Sequence, residues 1–199
     1  MKVYTKTGDE GTTGLYDGSR ASKNEIFFDV LGELDELSSR VGMLCALFPQ
    51  DLEDSNMMMS QFRKIQSTIQ DINSIVGSVR MVVPFITKEQ VNELEFNIDF
   101  MEEKNPKLTK FILPGVTPAD AQAHLCRTQA RKVERYLWEL HNSEGKVVLK
   151  RGRKEEELNL STIDIHENIM CYMNRLSDFF FVLARWVCSS QDIEDCFAN

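Results

Sequence analysis

The chain has 199 residues, 42% of them hydrophobic and 27% charged, which is the make-up of an ordinary globular protein and enough for one domain, residues 1–199, with a sizeable core. A formal net charge of −8 gives no general attraction for nucleic acid or an anionic membrane, and no apolar run approaches the roughly 18 residues of a spanning helix. Any anionic ligand must therefore be gripped by local clusters of Lys, Arg and backbone N–H groups. The five cysteines, Cys45, Cys126, Cys171, Cys188 and Cys196, are odd in number and include no CxxC pair. With no apolar leader at the N-terminus, we expect free, mostly buried thiols in a reducing compartment: the cytoplasm, or an organelle matrix if a presequence has been removed.

In chain order, residues 1–28 read as a polar loop with four of the ten glycines between Gly8 and Gly18. Apolar residues then fall into helical period five times. The first set is Val30, Leu34, Leu37, Val41, Leu44 and Phe48, ending at Pro49. The second runs through Met58, Phe62, Ile65, Ile69, Ile72, Val76 and Val79 and ends before Pro84. Thr87, with Gln90 three residues on, opens a third through Val91, Leu94, Ile98 and Met101, which Asn105-Pro106 stops. The fourth has the clearest start: Thr117 as N-cap, Pro118 at the first helical position and Asp120 at the third, running to about Leu140. Residues 141–160 read as a loop carrying a basic run, Lys150 to Lys154, and an acidic one, Glu155 to Glu157; the last helix spans about Asp164 to Ser190. Long helices in series with short connections predict a single all-α domain, a five-helix bundle.

Two segments carry chemistry. The first runs from Thr5 to Arg20, with Lys23 just beyond. Glycines let a backbone approach a ligand closely, and consecutive N–H groups, threonine hydroxyls and Lys6 or Lys23 can together form an anion cradle. No GxxxxGK[ST] pattern occurs, so this is not a Walker loop. Composition alone leaves a solvated N-terminal arm equally open. The second is on the fourth helix, where Arg127, Arg131, Glu134, Arg135 and Trp138 share one face, with His124 a turn earlier. The i,i+4 arginine pairs repel by about 0.2–0.5 kcal/mol each unless something anionic lies across from them. The planar fork of arginine suits phosphate oxygens. A solvated stripe, or an ion-pair ladder with acidic residues of helix one such as Asp35 and Glu36, is the other reading.

Taken together these segments resemble the PduO-type ATP:cob(I)alamin adenosyltransferases. The resemblance lies in three blocks in order along the chain. They are Tyr4 to Thr13 with Lys23 and Gly32 to Leu37; Phe111-Ile112-Leu113-Pro114-Gly115 followed by Arg127, Arg131, Glu134 and Arg135; and Asn174 to Phe179 with Leu183 to Trp186. Ile65-Gln66 and Gln70-Asp71 add weaker support.

The resemblance implies a five-helix bundle forming a homotrimer with active sites between subunits. It implies transfer of the 5′-deoxyadenosyl group of ATP to cob(I)alamin, with Mg²⁺ assisting. In that frame Thr5, Lys6, Thr7, Gly8, Thr13, Gly14 and Lys23 wrap the triphosphate, and Arg131, Lys132, Glu134, Arg135 and Asn174 complete the nucleotide site. Asp35 pairs with Arg127 across a subunit boundary, Phe111 packs beneath the corrin ring, and His124 lies on the corrinoid side. Arg127, Arg131 and Asp35 carry the catalytic assignment. A cobalamin-dependent client enzyme is a further expected partner.

The chain departs from the family pattern at Lys132, where a second consecutive arginine is usual, at Val116, where a small residue is usual, and at Ser38, usually asparagine. The stretch 141–165 is also longer than the usual connection. A bundle that has lost the chemistry and only carries ATP or adenosylcobalamin to a client is the alternative. Asp164-Ile165-His166 begins like a corrinoid-ligating DxHxxG motif, but Ile169 stands in the glycine position, and we read it as a helix start with Asp164 as cap and His166 exposed.

Overall fold

The computed structural model describes residues 4–78, 85–163 and 165–198. It contains five long helices, α1 (Ile26–Leu47), α2 (Ser55–Gly77), α3 (Lys88–Glu102), α4 (Pro118–His141) and α5 (Glu167–Ser189). Alternating steps of three and four keep one apolar face on the core. In α1 this face is Phe27, Val30, Leu34, Leu37, Val41 and Leu44; in α2 it is Met58, Phe62, Ile65, Ile69, Ile72 and Val76. The stripe of α4 uses smaller residues, Ala119, Ala123, Cys126, Ala130 and Val133, before Leu137 and Leu140. Helix α5 is buried around most of its surface because it packs between α3 and α4, while α1 packs between α4 and α2. Each large apolar side chain fully removed from water here contributes roughly 1.5–3 kcal/mol.

The helix ends follow their caps. Thr117 Oγ1 accepts from the Asp120 N–H at 3.1 Å at the start of α4, and Gln90 Oε1 accepts from the Thr87 N–H at 2.8 Å in the capping box of α3. Two boundaries differ from expectation. Val79 and Pro84 lie outside the described residues, and α2 ends at Gly77. Asp164 also lies outside them; the cap of α5 is the exposed His166, whose Nδ1 accepts from the Asn168 N–H at 3.2 Å.

The domain is not purely all-α. Residues 12–22 form a short hairpin, β1 (Thr12–Gly14) and β2 (Arg20–Ser22), and β3 (Ile112–Leu113) precedes α4. The segment expected to be an irregular loop, about 141–160, is a second hairpin, β4 (Lys146–Arg151) and β5 (Lys154–Asn159), while β6 (Cys196–Phe197) closes the chain. The sheet order is β1-β2-β4-β5, antiparallel throughout, and β3 pairs separately with β6. The β4–β5 hairpin forms because Val147 and Leu149 alternate inward, meeting Leu158 from β5, and its two-residue turn places Gly152 at φ 62°. Its outer face pairs Lys146 with Glu157 at 2.8 Å and Lys150 with Glu155 at 2.9 Å. The basic and acidic runs are thus the two sides of one ribbon.

Among the described residues all five cysteines are free; Cys45, Cys126 and Cys188 are buried and Cys171 and Cys196 exposed. Burial pushes the Cys126 thiol up to about 12 and that of Cys188 to about 11, so both are unreactive packing groups.

Candidate functional site

The N-terminal loop is ordered by its own polar groups. Thr5 and Thr7 hydroxyls lie 2.8 Å apart, the Asp9 N–H bonds the Lys6 carbonyl at 3.4 Å, and Lys6 itself has φ 61°, a left-handed conformation costly for a side chain with a Cβ. Lys23 folds back so that its Nζ stands 3.4 Å from where a Cβ on Gly8 would be. Its N–H donates to the Gly11 carbonyl at 3.0 Å. Arg20 ties the loop down: Nη2 donates to the carbonyls of Thr7 at 2.6 Å and Thr12 at 3.0 Å and to Thr12 Oγ1 at 3.0 Å. The guanidinium thereby takes up acceptors, while Thr5, Lys6, Thr7 and Lys23 are exposed, which leaves hydroxyl and ammonium donors available to an anion. Below Thr13 and Gly14 a cavity of about 340 Å³ reaches Asp35 and Asn73.

The basic face of α4 is assembled as the spacing predicts. Arg131 and Arg135 are exposed and, among the described residues, have no hydrogen bond or ion pair. Beside them Asn174 of α5 donates to Glu134 Oε1 at 3.1 Å. Lys132 turns away from this group to Glu33 of α1, with Nζ 2.6 Å from Oε1. Arg127 is half-buried, and both burial and the neighbouring Arg131 push its pKa down. Its Nε donates to His124 Nδ1 at 3.1 Å.

His124 is buried, and burial pulls its pKa down; Asp120 pushes the other way, while Arg127 adds to the lowering. Accepting from Arg127 at Nδ1 fits a neutral ring with its proton on Nε2. That nitrogen is 3.3 Å from Asp120 Oδ1 but off the line of a hydrogen bond. The other Asp120 oxygen accepts from the N–H groups of Gly115 at 2.8 Å and Val116 at 2.7 Å, so the start of α4 holds the end of the Phe111 segment. From the other side, Ile112 and Leu113 pair with Phe197 and Cys196, and the Ala198 N–H donates to the Phe111 carbonyl at 2.8 Å. The Phe111 ring is 89% exposed. Next to this strand pair lies a cavity of about 470 Å³, floored by Arg185, which is buried against Asp195 at 2.9 Å and the Pro106 carbonyl at 2.6 Å.

The expected residues thus form three groups: the loop residues, the arginines with Glu134 and Asn174, and Phe111 with His124. Among the described residues no hydrogen bond or ion pair joins residues 5–14 to Arg127, Arg131 or Arg135. Asp35 is bonded within the chain to Asn73, whose Nδ2 lies 2.7 Å from Oδ1. Sequence reading assigned no role to Arg20 or Asp17, nor to Asp120 beyond the helix start. Asp17-Gly18-Ser19 is a recognisable turn signal, and Asp17 Oδ1 does accept from the Ser19 N–H at 2.9 Å.

Comparison with known proteins identifies the family. The family model described as cobalamin adenosyltransferase matches residues 3–187. A cobalamin adenosyltransferase of Cupriavidus metallidurans is 37% identical over 187 residues, covering 92% of this chain and 86% of the relative. A corrinoid adenosyltransferase of Bacillus subtilis is 35% identical over 198 residues, covering 98% and 91%. Among solved structures, a phenylalanine-to-histidine variant of a PduO-type ATP:corrinoid adenosyltransferase from Lactobacillus reuteri, complexed with cobalamin and ATP, superposes with a TM-score of 0.81 at 27% identity, covering 100% of this chain and 97% of that one. An arginine-to-lysine variant from the same organism, complexed with ATP, gives 0.80 at 26% identity, with 99% and 100% covered.

Proposed function

Since the chain belongs to the cobalamin adenosyltransferase family, we propose that its three residue groups divide one reaction between them: the loop and the α4 arginines hold ATP, and the Phe111 segment receives the corrinoid. The protein is an ATP:corrinoid adenosyltransferase. The electron pair of cobalt(I) in the reduced corrinoid attacks C5′ of ATP, the Co–C bond forms as the C5′–O bond breaks, and triphosphate departs. The nucleophile belongs to the substrate, which is why no side chain has to be activated. The chain supplies alignment of the two substrates and positive charge for the leaving group.

The observation that carries this assignment is the pair of exposed guanidinium groups at Arg131 and Arg135, without a hydrogen-bond or ion-pair partner among the described residues. Like charges four residues apart on one helix face are unfavourable without an anion. A triphosphate supplies it, with Glu134 and Asn174 fixing one edge of the site. The threonine hydroxyls, Lys6 and Lys23 supply the other bank of donors. Phe111, held by its backbone with its ring exposed, offers an apolar plane to the corrin, and the adjoining cavity takes part of its edge. His124 supports Arg127 and the corrinoid side.

Among the described residues no hydrogen bond or ion pair joins the loop to the arginines, which favours a homotrimer in which the loop of one subunit meets α4 of the next, with Asp35 exchanging Asn73 for Arg127 across the boundary. Among the described residues no three His, Cys, Asp or Glu side chains converge. Mg²⁺ in this reading enters with the triphosphate, whose oxygens are its natural ligands. A reducing compartment and a cobalamin-dependent client that takes the product complete the proposal.

The test combines the purified protein, ATP, Mg²⁺ and chemically reduced cobalamin and follows the corrinoid spectrum. Formation of the alkylated corrinoid with stoichiometric triphosphate is the expected result. A spectrum that stays unchanged while equilibrium dialysis shows ATP bound would leave only a carrier. A nucleotide-soaked crystal with the triphosphate away from Arg131 would overturn the site.

A further inference from the structure

The β4–β5 hairpin contributes no group to the reaction above, yet it is bonded directly to the segment that leads out of the nucleotide loop. Strand β4 pairs with β2 at Lys150 and Arg20. One residue on, Arg151 Nη2 donates to the Asp17 carbonyl at 2.7 Å and to its carboxylate Oδ2 at 3.0 Å. The other carboxylate oxygen accepts from the Ser19 N–H at 2.9 Å and the Ser19 hydroxyl at 2.5 Å. The Asp17 side chain is only 6% exposed although that of Arg151 is 58% exposed, so the carboxylate is the buried member and the arginine its lid. Behind Arg151, Val147 and Leu149 are rooted in the core. Ahead of Asp17, Arg20 reaches Thr7 and Thr12. A connected set of contacts therefore runs from the core, through the hairpin, to Thr7 and Thr12 of the N-terminal loop.

We propose that the hairpin is a brace that holds the nucleotide loop in its binding shape before ATP arrives, with Arg151 and Asp17 as positioning residues. The proposal rests on residues 5–14 being the ATP loop. A loop pre-shaped in this way avoids the ordering cost that binding would otherwise carry. The brace acts on ATP affinity and leaves the chemical step alone, since the bonds of Arg151 run to Asp17 and, through it, to the Ser19 turn rather than to a reacting group.

The experiment compares Arg151→Ala, Asp17→Asn and Arg151→Lys with the parent protein by hydrogen exchange of the ligand-free chain and by steady-state kinetics. In Arg151→Ala and Asp17→Asn, amides of residues 5–22 should exchange faster while helix amides do not change. KM for ATP should rise about five- to tenfold, with kcat at saturating ATP and KM for the corrinoid within about twofold, as expected for a lost charge-assisted bond outside the reacting centre. Arg151→Lys should recover part of the loss. Unchanged exchange in residues 5–22 would overturn the brace, as would a fall in kcat with KM for ATP unaltered. If the parent protein binds no ATP while Arg151→Ala still loosens the loop, the nucleotide assignment fails and the brace stands.

Discussion

Lys132 Nζ lies 2.6 Å from Glu33 Oε1 and joins the basic face of α4 to α1 through a carboxylate that is 17% exposed. Burial pushes the Glu33 carboxyl up, but hydrogen bonds from Lys132 and Gln129 and the Lys132 charge outweigh it and hold it below the usual carboxylate range. An ammonium committed in this way must leave Glu33 before it can meet a phosphate. In the proposed nucleotide site, lysine here is thus a weaker ligand than its arginine neighbours.

Replacing Lys132 with alanine should accordingly raise KM for ATP only about two- to threefold and leave stability almost unchanged, as for other solvent-screened pairs. Steady-state kinetics and urea unfolding check both outcomes. A loss of turnover as large as that from removing Arg131 would make Lys132 a principal ligand instead.

Arg131→Ala should leave stability within about 0.5 kcal/mol of the parent, because the exposed side chain has no hydrogen-bond or ion-pair partner among the described residues. Turnover should fall by about a hundredfold or more, the usual scale for losing one group that stabilises developing charge. Circular dichroism and the corrinoid assay together separate folding from chemistry, and full activity in this variant would refute the placement of the triphosphate.

Phe111→Ala removes a ring that is 89% exposed, so the melting temperature should not move. The step involving the corrinoid should slow by about tenfold or more while KM for ATP stays the same, because only alignment of one substrate is lost. A matched change in both substrates' KM values would show that the segment had shifted as a whole.

His124 gives a pH signature. Its pKa is lowered from 6.5, mainly by burial, so the unfolded chain takes up a proton at higher pH than the folded one. The stability this confers is fully present above 6.5 and is lost as pH falls through that value toward the folded pKa. Glu33, also lowered, adds a second loss that begins only near the ordinary carboxylate value of 4.5. Thermal unfolding from about pH 7.5 down to about pH 5 should show the first decline in the parent and a flatter curve in His124→Gln. Identical curves would mean that the imidazole does not titrate between the two states.

The helices were legible because apolar residues at steps of three and four leave a long periodic trace, and because Thr87, Thr117 and Pro118 mark their starts. The strands left no such trace. β1 and β2 are three residues each, and in β4 the exposed Val148 interrupts the alternation of Val147 and Leu149. A run of adjacent like charges, Lys150 to Lys154, also reads as solvated loop until its partner strand is known. At the site, residue type exposed the threonine-glycine loop and the arginine face. It could not expose Arg151, whose meaning depends on an aspartate 134 positions away. Two of the departures from the family pattern are quieter than their identities suggest. Val116 contributes its N–H to Asp120, and Ser38 its carbonyl to Gln66 Nε2 at 3.0 Å. Both use main-chain groups: the N–H is missing only from proline, and the carbonyl is common to every residue.

The segment bearing Phe111 is clamped from both directions by main-chain bonds, to Asp120 at one end and to the last strand at the other, while the ring leans on little of the protein. Position 111 is therefore a socket whose occupant can be exchanged without disturbing its mounting. A graded set of side chains there would report how shape and polarity of the surface offered to the macrocycle set the rate, with the scaffold as a constant background.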